Sequence, residues 1–301
     1  MFQKVRRYLK SPYYALGDDL IKKRPEWFSD KYFIRVFWHE MFGYPLDLKH
    51  PQTFNEKIQW MKLYDHDPRY PDLIDKLKVK DWVKDVIGEQ YVIPTLAVYD
   101  NPDAITLEGL PDRFVLKCNH DSGGLVICKD KSTFDLEAAK KVLWKSFDYD
   151  FYQEYREWPY RKIERKVFAE AYIVDSATGD LPDYKFFTFS GEPHYMFIAT
   201  GRQSGHEVMF DFFDMELNRL QVRNVHPNNP GSVKTPETFA KMKELAGKLA
   251  AGFKQVRVDF YEADGACYFG EMTFFHGAGF MPFTPASFDR QMGDQEQHCF
   301  A

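Results

Sequence analysis

The segment Val256-Arg257-Val258-Asp259-Phe260 alternates apolar and charged residues, the period of a β-strand. Val256, Val258 and Phe260 fall on one face, and Arg257 and Asp259 on the other. A return strand carries Phe269, Glu271 and Thr273 on one face. Register decides whether the two polar sets meet. A two-residue loop at Asp264-Gly265 pairs Asp259 with Gly270 and turns Glu271 to the opposite face. A three-residue loop, Asp264 to Ala266, pairs Asp259 with Glu271 and Arg257 with Thr273. Two carboxylates directly opposite each other destabilise a sheet, and a divalent cation offsets that repulsion. Magnesium takes such oxygen ligands, typically one or two carboxylates plus phosphate oxygens. The plain alternative is two solvated acids on an exposed face.

Two further constellations bear on phosphate and nucleotide chemistry. Lys117 precedes Asn119-His120-Asp121-Ser122-Gly123-Gly124. Glycines let backbone amides approach a phosphate closely, and a lysine adds a point charge. The segment is not a Walker loop, which needs GxxxxGK[ST] ahead of a helix; an ordinary polar hairpin loop is the alternative. In Lys166-Val167-Phe168-Ala169-Glu170-Ala171-Tyr172-Ile173, an acid sits in an apolar strand. There it can accept from a ribose hydroxyl while neighbouring backbone groups pair with adenine. Lys185, in Asp183-Tyr184-Lys185-Phe186, can reach a phosphate. A structural pair of Glu170 with a lysine explains the same residues without a ligand.

The elements that position these groups are short strands and a few helices. The first seventy residues read as helical, broken by Pro45 and Pro51, and Thr53-Phe54-Asn55-Glu56 begins a helix towards Leu63. A second helix fits Asp75 to about Val86, stopped by Gly88. From Arg113 onward the texture changes to strands: Phe114 to Cys118, Leu125 to Cys128, Val167 to Val174, Tyr184 to Phe189, His194 to Ala199, Val256 to Tyr261 and Cys267 to Thr273. Ser190-Gly191 and Asp264-Gly265 are turn signals. One more helix is expected with Thr235 as its cap and Pro236 in its first turn. Phe239, Met242, Leu245, Leu249 and Phe253 recur there at three- and four-residue steps and form one buried face. Strands mixed with helices in this order give an α+β fold. A soft boundary falls near Asp67–Asp75.

Composition narrows the function classes. The chain has 301 residues with 40 Lys and Arg against 45 Asp and Glu, a net charge of −5. That argues against nucleic acid as a partner. Charged residues at 28% argue against disorder. Aromatics at 17% suit a sheet-rich core. Cys118, Cys128, Cys267 and Cys299 show neither CxxC nor zinc-ligand spacing, so they read as reduced thiols and the expected location is cytoplasmic. No apolar run approaches a membrane span. Lys4, Arg6, Arg7 and Lys10 allow at most peripheral contact with an anionic membrane. The oligomeric state is open.

Taken in order, these pieces resemble the ATP-grasp superfamily, and within it the TupA-like ATP-grasp proteins of bacterial surface-polysaccharide clusters. The resemblance covers most of the chain. Pro51-Gln52-Thr53-Phe54-Asn55-Glu56-Lys57-Ile58-Gln59-Trp60 looks like that family's N-terminal motif, and Asp75-Lys76 followed by Gly88 and Pro94 like the entry to its nucleotide-binding region. Val115 to Gly124 resembles the phosphate-covering hairpin, Glu170-Ala171-Tyr172-Ile173 the adenine hinge and Asp183-Tyr184-Lys185-Phe186 the central strand motif. Val256 to Tyr261 and Gly270-Glu271-Met272-Thr273-Phe274 look like the metal-binding strands, and His276-Gly277-Ala278-Gly279 like the glycine loop after them.

The resemblance implies an ATP-grasp fold, two α+β subdomains gripping ATP, with a helical N-terminal region. The implied division is 1–70 for that region and 71–301 for the grasp domain, with subdomains of about 71–180 and 181–301. It implies ATP and Mg2+ as cofactors. Lys117, His120, Ser122, Gly123, Gly124, Glu170, Ala171, Tyr172 and Lys185 would bind the nucleotide. Asp259, Glu271 and Thr273 would hold the metal, although many ATP-grasp enzymes carry asparagine where this chain has Thr273. Arg257 and Lys185 would stabilise the transferring phosphoryl group, with His276 beside it. Arg202, Gly277 and Gly279 would face the substrate. The implied reaction phosphorylates a carboxylate, and an amine then attacks the acyl phosphate to give an amide. A uronic acid on a nucleotide sugar or a glycan fits the polysaccharide connection. Two rival readings stand beside it: a glycosyltransferase using Asp65-His66-Asp67 or Asp148-Tyr149-Asp150 on a nucleotide sugar, and a kinase on the same scaffold.

Overall fold

The computed structural model describes residues 23–121, 123–177, 179, 181–201 and 207–296. Its helices are α1 (Asp30–Phe42), α2 (Phe54–Tyr64), α3 (Tyr70–Ile74), α4 (Val79–Val86), α5 (Leu136–Phe147), α6 (Phe151–Tyr155), α7 (Phe239–Ala250) and α8 (Ser287–Gln295). Its main strands are β1 (Thr95–Tyr99), β2 (Phe114–Cys118), β3 (Leu125–Cys128), β4 (Val167–Ala171), β5 (Asp183–Phe189), β6 (Glu192–Thr200), β7 (Met209–Asp214), β8 (Arg219–Leu220), β9 (Gln255–Ala263) and β10 (Ala266–Thr273). The fold is α+β, as expected. Among the described residues no helix is long and apolar enough to cross a membrane, and Cys118, Cys128 and Cys267 are free and buried.

The chain forms two compact units. The first combines Met1–Asp67 with Asp150–Trp158 and Phe275–Ala301; the second combines Pro68–Tyr149 with Pro159–Phe274. The helical unit therefore takes in two later segments as well as the N-terminal stretch. Its apolar core gathers Phe33, Ile34, Val36 and Trp38 of α1 with Leu46, Leu48, Ala278 and Phe280. Its polar interior explains the recruitment of the C-terminal segment. α2 starts in a capping box, with Thr53 and Glu56 satisfying each other's backbone N–H groups. The buried polar residues that follow donate to the late segment. Asn55 donates its backbone N–H to Asp289 at 3.0 Å, and Lys57 Nζ donates to the carbonyls of Gly293 and Glu296 at 2.7 and 2.8 Å. Gln59 Nε2 reaches the carbonyls of Ala278 and Gly279, and Lys62 Nζ that of Ala278 at 2.9 Å. Buried polar groups need such partners.

The second unit holds two antiparallel sheets. One has the order β1-β4-β2-β3, the other β10-β9-β5-β6-β7-β8. In the four-stranded sheet, Phe114, Leu116, Cys118, Val167 and Ala169 join Leu143 of α5 in one core, so the alternate residues Val115, Lys117, Phe168 and Glu170 line the other face. In the six-stranded sheet, α7 packs on the face that carries Phe186, with Phe239 stacked on that ring at 5.9 Å. The opposite face carries Lys185 of β5, Arg257 and Asp259 of β9 and Glu271 of β10.

The start of α7 departs from expectation. The N-cap is Thr238, not Thr235, and its side chain makes no capping bond. Glu262, at the end of β9, accepts instead from the backbone N–H groups of Glu237 and Thr238 at 3.1 and 2.7 Å. A carboxylate there also complements the helix dipole. Phe253 lies beyond the last turn, although it is buried.

Candidate active site

The charged groups of the six-stranded sheet meet through an unexpected combination of turn and bulge. Ala263 pairs with Ala266, so the connection is the two-residue turn Asp264-Gly265. Both turn residues have positive φ, 51° and 74°, the signature of a type I′ hairpin. A regular ladder from that turn would put Gly270 opposite Asp259. Instead the register shifts between Asp259 and Phe260, leaving Asp259 opposite Glu271 and Arg257 opposite Thr273. The extra residue is Gly270, where a Cβ would lie 3.1 Å from the Asp259 carbonyl oxygen and 3.2 Å from the Tyr261 ring. The pairing of the two acids thus comes from a bulge, not from a three-residue loop.

On the other side of β9, Asp259 pairs with Lys185 of β5. One row therefore runs Glu271–Asp259–Lys185 across three strands. Lys185 Nζ forms a short bond to Asp259 and lies 3.7 Å from Asp183 and 3.9 Å from Glu271. Arg257 grips Asp259 with two nitrogens, Nε at 2.7 Å and Nη2 at 2.8 Å. The same Nη2 reaches Glu271 Oε1 at 2.9 Å and the Thr273 hydroxyl oxygen at 3.0 Å. The repulsion between the acids is thus offset within the protein, by Arg257 and Lys185. Asp259 and Lys185 are buried, and the Glu271 side chain is 32% exposed. Burial works against ionisation of Glu271, but Lys185 and Arg257 outweigh it and hold the carboxyl well below its usual range. Burial pushes Asp259 upward against the same two cations. Arg257, despite its burial, is held more firmly protonated by Asp259 and Glu271.

The open face of the four-stranded sheet carries a second charged group. Glu170 is buried between two lysines: Lys80 Nζ lies 2.7 Å from Oε1 and Lys117 Nζ 2.5 Å from Oε2. Burial raises the cost of ionising Glu170, and the two ammonium groups override it and lower its pKa. Burial pushes Lys80 down, with Glu170 opposing. Lys80 had no place among the sequence candidates, because a lysine within a helix reads as a solvated residue. Beyond the strand, Ala171 N–H donates to Pro94 O at 2.9 Å, and the Arg113 guanidinium lies over the Tyr172 ring at 5.4 Å.

In the loop after β2, His120 is buried, with ring nitrogens 3.3 Å from Asn119 Oδ1 and 3.2 Å from Phe147 O. Gly124 donates its N–H to Asp121 at 2.8 Å, and a Cβ there would lie 1.9 Å from Ser146 Oγ. Lys76 donates to the Asp121 carbonyl. Gly123 has φ 115° and open space at its Cβ position. Ser122 and Arg202 lie outside the described residues.

Three candidates fall in the first unit. His276 is buried beside Phe54 and Phe283, with ring centroids 6.3 and 6.4 Å away. Gly277, Ala278 and Gly279 take three successive left-handed conformations. At Gly279 a Cβ would meet Gln59 Nε2 at 2.5 Å, so the loop packs directly on α2. The two DxD segments fall at helix ends: Asp65 follows α2, Asp148 follows α5, and the Asp150 carboxylate caps α6 through Gln153 N–H at 3.0 Å.

The oxygen set of Asp259 and Glu271 suits a hard cation. Among the described residues no group of three or more His, Cys, Asp or Glu side chains gathers at one point. Two carboxylates with the balance drawn from phosphate oxygens is the usual arrangement for magnesium.

A family model described as TupA-like ATPgrasp matches residues 56–296. Among solved structures, the chain is similar to an ATP complex of D-alanine–D-alanine ligase from Bacillus anthracis, with 14% identity and a TM-score of 0.42, over 75% of this chain and 63% of that one. The corresponding ligase from Helicobacter pylori gives 14% and 0.41, over 75% and 61%. A RimK domain ATP-grasp protein from Sphaerobacter thermophilus gives 11% and 0.39, over 81% and 69%. The chain spans less than two thirds of the length of either ligase. No curated protein matches it.

Proposed function

Because the chain belongs to the TupA-like ATP-grasp family, we propose that it is an ATP- and magnesium-dependent ligase that joins a carboxylate to an amine. The observation that carries the reading is the Glu271–Asp259–Lys185 row with Arg257 beside it on one sheet face. Two anions and two cations fixed on rigid strands are the equipment of phosphoryl transfer, where catalysis is chiefly positioning and charge stabilisation.

In this reading a substrate carboxylate oxygen attacks the γ-phosphorus of ATP, the bond to the β-phosphate oxygen breaks, and ADP leaves. The amine nitrogen then attacks the acyl carbon, phosphate leaves and the nitrogen loses a proton. Lys117 and Lys185 bind phosphate oxygens, and Arg257 meets the charge on the transferring group. Glu170 takes the ribose hydroxyls. Asp259 and Glu271 would hold magnesium, which when bound supplies neutralising charge to the phosphates. Thr273 presents its hydroxyl to Arg257, which favours a role in orienting that guanidinium. The roles of Arg202, His276, Gly277 and Gly279 towards substrate rest on the family resemblance.

For the acid we propose a uronate of a nucleotide sugar or a surface polysaccharide, supported by the resemblance to proteins of polysaccharide clusters. The helix-capping duty of Asp150 weighs against the Asp148-Tyr149-Asp150 form of the glycosyltransferase reading, whose metal would need that carboxylate. The test is ATP turnover with hexuronic acids, free and nucleotide-linked, in hydroxylamine. An acyl phosphate gives a hydroxamate, ADP and phosphate. A stable phosphorylated sugar instead would establish the kinase reading, and UDP-sugar turnover without ATP the glycosyltransferase.

A further inference from the structure

The surface at the start of α1 carries exposed aromatic side chains paired with cations. Trp27 is 68% exposed, more than any other large apolar side chain among the described residues. The Arg24 guanidinium lies 5.4 Å from the centre of its ring and 3.7 Å from Glu26. Tyr64, exposed at the end of α2, has the Lys31 ammonium over its ring at 5.7 Å. Aromatic rings accompanied by long cationic side chains suit the boundary between lipid headgroups and acyl chains. The sequence that leads into this surface is basic. Lys4, Arg6, Arg7 and Lys10 form one cluster, and Lys22, Lys23 and Arg24 a second. Phe2, Val5 and Leu9 recur at three- and four-residue steps through the first cluster. Residues 1–27 hold seven of the chain's 40 Lys and Arg but only three of its 45 Asp and Glu, a charge of +4 against −9 for the rest. Such asymmetry on an acidic chain points to a local anionic partner.

We propose that residues 1–27, with the Lys31–Tyr64 pair, dock this protein on an anionic lipid surface. The basic side chains meet headgroup phosphates, and Trp27 enters the interface beneath them. Apolar Phe2, Val5 and Leu9 among the charges favour lipid over a nucleic acid, which offers no acyl chains to cover them. The contact is peripheral, since no helix among the described residues is long and apolar enough to cross a membrane. It stands independently of the ligase reading, because none of these residues belongs to the charged sheet faces.

The experiment sediments the full chain with vesicles of phosphatidylcholine alone, or of phosphatidylcholine mixed equally with phosphatidylglycerol, at low and high salt. The wild-type chain should sediment with the mixed vesicles at low salt. It should stay in solution with phosphatidylcholine alone and at high salt, which screens the attraction. Each Lys or Arg near an anionic surface contributes about fivefold in binding. Arg6→Gln, Arg7→Gln and Lys10→Gln together should therefore weaken binding by about a hundredfold. Trp27→Ala should weaken it severalfold and leave its salt dependence in place. Lys241→Gln with Lys248→Gln, exposed on α7, should leave binding unchanged and so exclude an effect of net charge alone. A wild-type chain that ignores the mixed vesicles overturns the proposal, as does equal binding to both vesicles or a triple variant that binds like the wild-type chain. Full affinity in Trp27→Ala overturns the placement of Trp27 in the interface. Duplex DNA that strips the chain from the mixed vesicles establishes a nucleic-acid partner instead.

Discussion

Replacing Arg257 with methionine should make the stability of the second unit depend on a divalent cation. Arg257 hydrogen-bonds to both acids, with bonds of 2.7 and 2.8 Å to Asp259 and 2.9 Å to Glu271. At 2.9 Å and an effective dielectric of about 20, one such pair amounts to about 6 kcal/mol of gross attraction. Desolvation offsets much of that, and removing one partner of a buried pair costs about 3–5 kcal/mol net. At about 2–4 °C per kcal/mol for a unit of this size, melting should fall by roughly 6–20 °C. The assay is thermal unfolding of both chains in EDTA and in magnesium, at matched ionic strength. The variant should regain part of the loss in magnesium, since the facing carboxylates then acquire a cation. The wild-type chain should respond little, because its acids are already compensated. A variant that melts with the wild-type chain in EDTA, or that loses the same amount in both buffers, would refute the reasoning.

Two predictions concern the first unit. Burial, opposed by Lys62, raises the Glu157 pKa from 4.5 to about 7. The folded state therefore binds a proton that the unfolded state has lost between those values. This contribution is fully present below pH 4.5 and disappears as the pH rises through about 7. At about 1.36 kcal/mol per pH unit it is worth about 3 kcal/mol. Melting curves from pH 4.5 to 8 should show Glu157→Gln flattening that decline; an unchanged slope would contradict it. At Gly293 a Cβ would meet the Gln52 carbonyl oxygen at 2.2 Å. Gly293→Ala should force α8 away from the start of α2 and cost about 1–3 kcal/mol, measured by urea unfolding.

The sequence makes the local elements legible. The alternation in Phe114–Cys118 and the Thr53/Glu56 capping box fix a strand and a helix start within a residue, because both signals are local. The facing acids were visible as one of two registers. The signal that decides between them was also present: a glycine inside a strand pattern, Gly270, marks a bulge. Groups set by distant partners were not legible. Asn55 meets Asp289 across 234 residues, and nothing near α2 announces that its buried polar residues serve the C-terminal segment. Lys80 meets Glu170 across 90 residues. His120 reads as a loop residue, but its ring turns inward to Phe147.

The central claim is that the sheet face around Asp259 and Glu271 binds ATP together with magnesium. Calorimetric titration of ATP into the wild-type chain and Asp259→Asn, with magnesium and with EDTA, tests it most directly. Wild-type binding should be strong with magnesium and weak in EDTA, and the variant should bind weakly in both buffers while remaining folded. Equal affinity in all four titrations, or a wild-type chain that ignores ATP, would contradict it.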